Sequence, residues 1–380
     1  MVTDQRIDTP AILKQVATTR LLDQFLIVEP ILFVGDSETL PFLKEHLQDK
    51  SAAVEVTTSH HFWTWQPETS QGELAAIAPS NTAIVVASLF NEQKIFDEIQ
   101  GKTAVPVVRL FADVFTNLVA ERPWFNPVED ESELPALSYA ILTTPRSGST
   151  YLCELLRATQ RAGNPTEHLR QVSVTLSQSC GFDYLRFLRA QMKFQTTPNG
   201  VFGTKFISHF LFDLQGCSSQ SGHFDDIFKQ YISKFVYLIR EDKVAQAVSA
   251  VVAKKTKIWH IFRDEKQQAY QQQTQTLTVD DNDLEAVHRV YQSLINQEAQ
   301  FEKLIDTYQL SPLVLHYEQL ASNPEPHLTK LLAYLDISTD GLDLVNLKTK
   351  SQRLQNDFSQ MLIDSYNQKY RGFSHHGLAL

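Results

Sequence analysis

The chain has 380 residues, of which 43% are apolar and 21% are charged, and its formal net charge is −10. This composition excludes a disordered protein, and the length favours two domains over a single hydrophobic core. The acidic balance argues against nucleic acid as the main partner, because proteins that bind nucleic acid normally present a basic face.

Short apolar runs alternate with helical stretches in the first part of the chain. Residues 31–34 predict a strand, and Ser37 is the expected cap of a following helix that runs to His46. Three further strands are predicted at residues 53–57, 83–87 and 105–110. This alternation is typical of a small open α/β sheet.

Residues 123–135 interrupt the pattern with three prolines and four acidic residues, a composition typical of a linker. The sequence therefore predicts a small N-terminal α/β domain of unknown role at residues 1–132 and a second domain at residues 133–380. The second domain is again α/β: its predicted strands cover residues 137–143, 201–206, 235–239 and 312–316, and its predicted helices cover residues 149–161, 242–255 and 324–334.

The junction between the first strand and the first helix of the second domain is rich in groups that bind anions: Arg146, Ser147, Gly148, Ser149 and Thr150. Backbone N–H groups at a helix N-terminus point toward one spot, and the helix dipole adds positive potential there. Gly148 lets the backbone approach a ligand, the three hydroxyls can donate hydrogen bonds, and Arg146 offers a planar fork of donors. This pattern predicts a site for a phosphate or sulfate group.

The alternative for this junction is an ordinary strand-to-helix turn whose serines only cap the helix. The pattern G-x-x-x-x-G-K-[ST] of nucleoside triphosphate loops is absent, which counts against a kinase or an ATPase. A second group of residues favours the anion site. Arg240 ends a predicted strand, and Ser249 lies about two helical turns into the next helix, so that both can share one anion. Lys243 is a further candidate contact, and the alternative is a surface charge cluster.

In these residues the sequence resembles the bacterial trehalose sulfotransferase family. Residues 144–167 follow the family pattern T-P-R-S-G-S-T, L-C-E-x-L-R-A-T and G-x-P-x-E, and residues 240–249 follow R-x-D-K-x-x-Q-A-V-S. A weaker match covers residues 314–324. The resemblance extends over roughly residues 135–380. It implies a P-loop-like, three-layer parallel-sheet sulfotransferase domain that follows the smaller α/β domain.

The resemblance also implies a reaction and roles for individual residues. The donor would be 3′-phosphoadenosine 5′-phosphosulfate (PAPS), and the product nucleotide adenosine 3′,5′-bisphosphate. The acceptor would be a hydroxyl of a carbohydrate or glycolipid-type small molecule. Residues 146–150 would hold the 5′-phosphosulfate, Arg240 and Ser249 the 3′-phosphate, and Glu167 would be the catalytic base. Arg146 would also stabilise the charge that grows on the leaving group.

Two residues near Glu167 leave alternatives open. The family has an aromatic residue after the glutamate, whereas this chain has His168, which either competes as the base or shapes the acceptor pocket. Lys205, at the end of a predicted strand, either reaches the sulfate or acceptor or is an ordinary lysine in solvent. Residues 352–371 are expected to cover the nucleotide, with Lys369 and Arg371 as candidate contacts.

We expect no metal, because no cluster of ligands is visible in the sequence. The rival interpretations are a kinase-like nucleotide transferase and a non-catalytic nucleotide- or glycan-binding protein. The N-terminal domain is open to three roles: binding a glycan, a protein partner, or a second copy of the chain in a homodimer.

The predicted location is cytoplasmic. Cys153, Cys180 and Cys217 are too sparse for a disulfide framework and fit a reducing compartment. The N-terminus shows no basic segment followed by an apolar core, as a secretory signal would. No apolar run approaches the roughly 20 residues of a membrane helix, so no membrane span is expected.

Overall fold

The computed structural model of the chain describes residues 25–53, 57–66, 80–115, 134–179, 182–217, 223–259, 264–347 and 356–370, together with residues 10, 13, 14, 16, 22 and 349. The chain divides into two compact units. The first takes in Met1–Leu134, Leu169–Phe194 and Asp213–Phe224, and the second takes in Pro135–His168, Gln195–Phe212 and Asp225–Leu380.

The first change of unit along the chain falls between Leu134 and Pro135. The predicted linker lies outside the described residues up to residue 133. Two later segments return to the first unit, so that each unit draws on more than one stretch of sequence. The division at residues 132 and 133 stays a prediction.

The elements up to residue 115 are, in chain order, β1 Ile31–Gly35, α1 Thr39–Ala53, β2 His61–Thr64, β3 Ala83–Ala87, α2 Glu92–Ile99, β4 Val107–Arg109 and a π-helical turn at Leu110–Phe115. The four strands form a parallel sheet in the order β2-β1-β3-β4. Strands β1 and β3 are buried at every residue, which explains their continuous apolar sequences. The predicted small α/β sheet is therefore present.

Two predictions in this unit are wrong in detail. The cap of α1 is Asp36 rather than Ser37, because its carboxylate accepts hydrogen bonds from the backbone of Glu38 at 2.9 Å and of Thr39 at 2.6 Å. The helix then continues beyond His46 to Ala53, where a strand was predicted. Residues 54–56 of that predicted strand lie outside the described residues, and the next strand is β2 at His61–Thr64.

The later elements are β5 Leu137–Thr143, α3 Ser149–Ala158, α4 Gln171–Ser179, α5 Tyr184–Gln195, β6 Val201–Ile207, α6 Ser208–Cys217, α7 His223–Asp226 with a π-helical turn at Ile227–Tyr231, β7 Lys234–Ile239, α8 Lys243–Thr256, α9 Asp264–Gln275, α10 Asp281–Thr307, β8 Leu313–His316, α11 Tyr317–Ser322, α12 Pro324–Tyr334 and α13 Asp357–Tyr370. The predicted strands of the second domain are confirmed to within one or two residues at each end.

The sheet of the second unit is parallel, in the order β6-β5-β7-β8. Helices α3 and α12 pack on one face, where Leu152, Leu156 and Leu331 meet Ile141 of β5 and Val236 of β7. Helix α10 packs on the other face: the rings of Phe301 and of Tyr237 in β7 lie 5.8 Å apart. The unit is therefore a three-layer α/β fold, as expected.

The strand order also shows where a ligand is expected. From β5 the chain crosses to β6 on one side of the sheet and then to β7 on the other side. Open α/β sheets bind ligands outside the carboxyl ends of their strands at such a switch point. In this sheet the carboxyl end of β5 is Thr143, which lies opposite Ile207 of β6 and Leu238 of β7.

Neither a disulfide nor a membrane-spanning helix is found in the described part of the chain. Cys153 and Cys217 are free thiols, and Cys180 lies outside the described residues. None of the described helices combines the length and the apolar character needed to cross a bilayer.

Candidate active site

The loop after β5 has an unusual backbone. Arg146 has φ 62° and Gly148 has φ 85°, so that two residues of the loop are in the left-handed region. For a non-glycine residue this conformation costs on the order of 1 kcal/mol, and such strain often marks a functional site. Left-handed residues in tight turns are typical of backbone concavities that bind anions.

The N-terminus of α3, which follows this loop, is open. Its N-cap residue is Gly148, and no side chain caps the helix. The first-turn N–H groups have no partner within a helix, and the hydroxyls of Ser149 and Thr150 have no hydrogen-bond partner among the described residues. These donors lie at the positive end of the helix dipole and suit a phosphate or sulfate group.

The hydroxyl of Ser147 has a different task. The side chain is fully buried, and its oxygen lies 2.5 Å from the hydroxyl oxygen of Thr143. Thr143 in turn donates to the carbonyl of Leu238 at 2.9 Å, so that Ser147 is the donor to Thr143. The Ser147 hydroxyl therefore joins the loop to β5 and β7, and only the backbone of this residue can donate to a ligand.

Two arginines meet at the loop. The Nε group of Arg146 donates to the hydroxyl of Ser249 at 3.1 Å, and Arg240 donates from Nη1 to the carbonyl of Arg146 at 3.1 Å. Arg146 also donates to the carbonyl of Trp259 at 2.5 Å. The predicted residues thus come together, although Ser249 contacts Arg146 where a shared anion with Arg240 was expected.

The guanidinium of Arg146 lies beside that of Arg240, so that two positive charges meet at the loop. Burial, and then the like charge of Arg240, lower the pKa of Arg146 from its ordinary value. Within the described part of the chain, no carboxylate lies within ion-pair distance of Arg146. A second cation beside a half-buried arginine is unfavourable unless an anion binds between or beside them.

The N-terminus of α8, by contrast, is filled by the protein itself. The side chain of Asp242 caps the helix by accepting from the backbone of Ala245 at 2.9 Å. The carboxylate of Glu318 accepts from the backbone N–H groups of Glu241 at 3.1 Å and of Asp242 at 3.2 Å. Burial would raise the pKa of Glu318, but these N–H groups and the charge of Arg240 together hold it below its ordinary value.

Two further side chains of α8, those of Lys243 and Gln246, make contacts within the protein. Lys243 forms an ion pair with Glu298 of α10 at 2.5 Å and also donates to the backbone carbonyl of Arg240, and its contact with the anion stays a prediction. The fully buried amide of Gln246 donates to the hydroxyl of Thr144 at 2.8 Å and to the carbonyl of Pro145 at 2.7 Å. Gln246 therefore fixes the loop to the helix that carries Ser249.

Glu167 and Lys205 form an ion pair of 2.8 Å, with 32% and 5% of their side chains exposed. The carbonyl of Thr166 accepts from the backbone of Lys205 at 2.9 Å, which anchors this segment along β6. Lys205 lies opposite Ile141 of β5, which packs against Leu152 of α3, so the pair lies on the same side of the sheet as α3. Lys205 is therefore not a lysine in solvent.

His168 is directed elsewhere. Its ring is buried, with Nδ1 3.0 Å from the hydroxyl oxygen of Thr204 and the ring centroid 5.3 Å from that of Phe202. Because successive strand residues face opposite sides of a sheet, Thr204 and Lys205 lie on opposite faces of β6. Glu167 and His168 consequently make their contacts on different faces of β6.

Helix α13 lies beside Tyr270 of α9, and Tyr270 is close enough to the site to be affected by the charge of Arg146. Burial raises the pKa of Tyr270, although the neighbouring Ser359 and the charge of Arg146 oppose this. Lys369 pairs with Asp281 at 2.7 Å. Arg371 lies outside the described residues. In the described ranges no cluster of three or more His, Cys, Asp or Glu side chains suits a metal ion.

The sequence reasoning missed Gln246, Trp259, Tyr317 and Glu318. A signal for the last two was present, because they directly follow β8 and the carboxyl ends of parallel strands meet at one edge. Gln246 is the glutamine of the family pattern at residues 240–249, so a signal for it was present too. Trp259 acts through its backbone carbonyl, which gives no pattern in the sequence.

The family model described as Stf0 sulphotransferase matches residues 138–369, which is more than half of the chain. Among solved structures, the chain is similar to the sulfotransferase domain from the olefin synthase of Synechococcus PCC 7002. The two share 13% identity over 66% of this chain and 92% of that one, with a TM-score of 0.29. No curated protein matches the sequence.

Proposed function

The chain belongs to the Stf0 sulphotransferase family, and we propose that it transfers a sulfuryl group from PAPS to a hydroxyl of a carbohydrate or glycolipid-type small acceptor. The observation that carries the proposal is the open N-terminus of α3 beside Arg146 and Arg240, where no carboxylate pairs with Arg146 among the described residues. Such a site suits a ligand with more than one anionic group.

In the proposed reaction Glu167 accepts the proton of the acceptor hydroxyl. The acceptor oxygen then forms a bond to sulfur, while the bond from sulfur to the 5′-phosphate oxygen breaks and leaves adenosine 3′,5′-bisphosphate with the electron pair. The N–H groups at the start of α3 and the guanidinium of Arg146 would stabilise the charge on that oxygen. Lys205 pairs with the Glu167 carboxylate at 2.8 Å, and in the proposed reaction its ammonium would also approach the acceptor or the sulfuryl group.

Ser149 and Thr150 would add hydroxyl donors to the 5′-phosphosulfate, together with the backbone of Ser147 and Gly148. Arg240 and Ser249 would bind the 3′-phosphate. Because Ser249 already contacts Arg146, an anion bound at Ser249 would meet the side chains of Ser249 and Arg146 together. His168 would contribute only through packing beside the acceptor pocket.

The proposal is tested by the affinity for two nucleotides. A charge-assisted hydrogen bond contributes about 1.5–3 kcal/mol, so adenosine 3′,5′-bisphosphate should bind at least about tenfold more tightly than adenosine 5′-monophosphate. Arg240→Ala should remove most of this difference and weaken the monophosphate little. Calorimetry with a chelator present measures both affinities.

Arg289→Ala is the matched control, because Arg289 exposes 69% of its side chain on α10 and pairs with Glu285 at 3.7 Å. It should keep the wild-type preference. Equal affinity of the wild type for the two nucleotides would refute the proposal.

The two rival functions make different predictions. A kinase-like transferase would need ATP and Mg²⁺, and the loop has no lysine before its Ser-Thr pair. A non-catalytic nucleotide- or glycan-binding protein would keep the nucleotide preference but form no product. Mass spectrometry of a cell extract incubated with PAPS and the protein distinguishes these cases, because only the sulfotransferase yields a sulfated product.

A further inference from the structure

The aromatic ring of Tyr317 lies directly against the anion-binding loop. A Cβ atom placed on Gly148 would be 2.1 Å and 2.3 Å from two carbons of this ring. The ring therefore occupies the space beside Gly148, and it leaves room for no side chain there. Tyr317 comes from the junction of β8 and α11, a segment far from the loop in the sequence.

The same ring contacts Arg240. The guanidinium carbon of Arg240 lies 5.2 Å from the ring centroid, within the range of a cation–π interaction. One rigid ring thus touches both the loop proposed to hold the 5′ group and the arginine proposed to hold the 3′-phosphate. The planar ring has few rotamers, so its position fixes the distance between these two groups.

The neighbouring residue fixes the backbone from which Arg240 projects. Both carboxylate oxygens of Glu318 accept N–H groups of the two residues that follow Arg240. The segment itself is anchored by Leu315 and Leu320, which are buried in the core of the second unit. The ring of Tyr317 is therefore held by the sheet and not by the ligand.

We propose that Tyr317 is a positioning residue that sets the spacing between the two anion subsites and so makes the site selective for nucleotides phosphorylated at both the 5′ and the 3′ position. This inference rests on the proposed function. We assign the effect to the ring and not to the hydroxyl, because it is the ring that lies against Gly148 and under the guanidinium of Arg240.

The test compares Tyr317→Leu with Tyr317→Phe. Loss of the cation–π contact should lower the preference for adenosine 3′,5′-bisphosphate over adenosine 5′-monophosphate roughly three- to thirtyfold in the leucine variant. The phenylalanine variant keeps the ring and should keep the wild-type preference. The ratio of two affinities measured on one folded protein does not change when a substitution only lowers stability.

Calorimetry gives the ratio, and a thermal melt verifies that each variant is folded. Tyr317→Met, which fills more of the volume of the ring, replaces the leucine variant if that one does not fold, and the same loss is expected. A wild-type preference that persists in the folded leucine or methionine variant overturns this inference alone. A wild type without any preference overturns the proposed function and this inference with it.

Discussion

Substitutions in the ion pair between Glu167 and Lys205 can separate effects on turnover from effects on the stability of the fold. Glu167→Gln removes the proton acceptor but keeps the size of the side chain and one oxygen for the ammonium of Lys205. General base catalysis typically contributes ~10²–10⁴-fold, and we expect turnover to fall by about that factor. The affinity for adenosine 3′,5′-bisphosphate should change little, because the nucleotide donors are untouched.

The expected effect on folding follows from the exposure of the two side chains. Breaking a fully buried ion pair costs about 3–5 kcal/mol. The Glu167 side chain is 32% exposed and glutamine still accepts one hydrogen bond, which reduces the cost to roughly 1–2 kcal/mol. The double variant Glu167→Gln with Lys205→Met leaves no unpaired ammonium, so its stability should return to within about 1 kcal/mol of the wild type.

Turnover is measured as sulfated product by mass spectrometry, and stability by urea unfolding of the same samples. Activity should remain lost in the double variant although its stability recovers. His168→Asn is the comparison, since His168 packs in the interior and should affect stability more than turnover. Retention of more than about a tenth of wild-type turnover in Glu167→Gln would refute the assignment of the base.

Gly148→Ala should abolish nucleotide binding in calorimetry, because φ is 85° and the new Cβ would lie 2.1 Å from the ring of Tyr317. The control Gly216→Ala, whose Cβ meets nothing within 4 Å, should bind the nucleotide as the wild type does. An unchanged affinity of Gly148→Ala would contradict the described loop. In the first unit, burial outweighs the N–H groups of Phe111 and Ala112 and raises the pKa of Glu92 from 4.5 to about 8. Between these two pH values the folded state holds a proton that the unfolded state has lost, so the free energy of unfolding should fall as pH rises, by up to ~1.4 kcal/mol per pH unit. Urea unfolding at several pH values measures this slope, and a slope that persists in Glu92→Gln would contradict the assignment.

The strands could be predicted because parallel strands are buried on both faces and read as continuous apolar runs. The helices that pack on them were harder. Helix α10, with 27 residues, has only a sparse row of buried side chains among polar ones, such as Leu284, Val287 and Leu294, and no single window of the sequence predicts its length. The cap at Asp36 was missed because Asp36 and Ser37 are both good capping residues, and only the fold decides between them.

The candidate site was predictable in its residues but not in its contacts. Arg146, Ser249 and Arg240 were all identified from local patterns near strand ends. Their partners depend on tertiary structure: Arg146 and Ser249 are 103 positions apart, and the acceptors of Arg240 and Arg146 include backbone carbonyls, which any residue supplies. The proposed role of Tyr317 likewise depends on a contact with Gly148 that no spacing in the sequence indicates.

If all charges of the chain acted equally on the ligand, the net charge of −10 would repel a multiply charged nucleotide. The net charge does not, however, decide what the site binds. At physiological ionic strength charges are screened over roughly 8 Å, so that only the groups around a bound anion matter. There the two helix N-termini differ. That of α8 is filled by the carboxylates of Asp242 and Glu318, whereas that of α3 is uncapped and lies beside two arginines. The net charge therefore disfavours a long polyanion that must lie along the protein, whereas the small nucleotide proposed as the ligand would need only the uncapped N-terminus of α3.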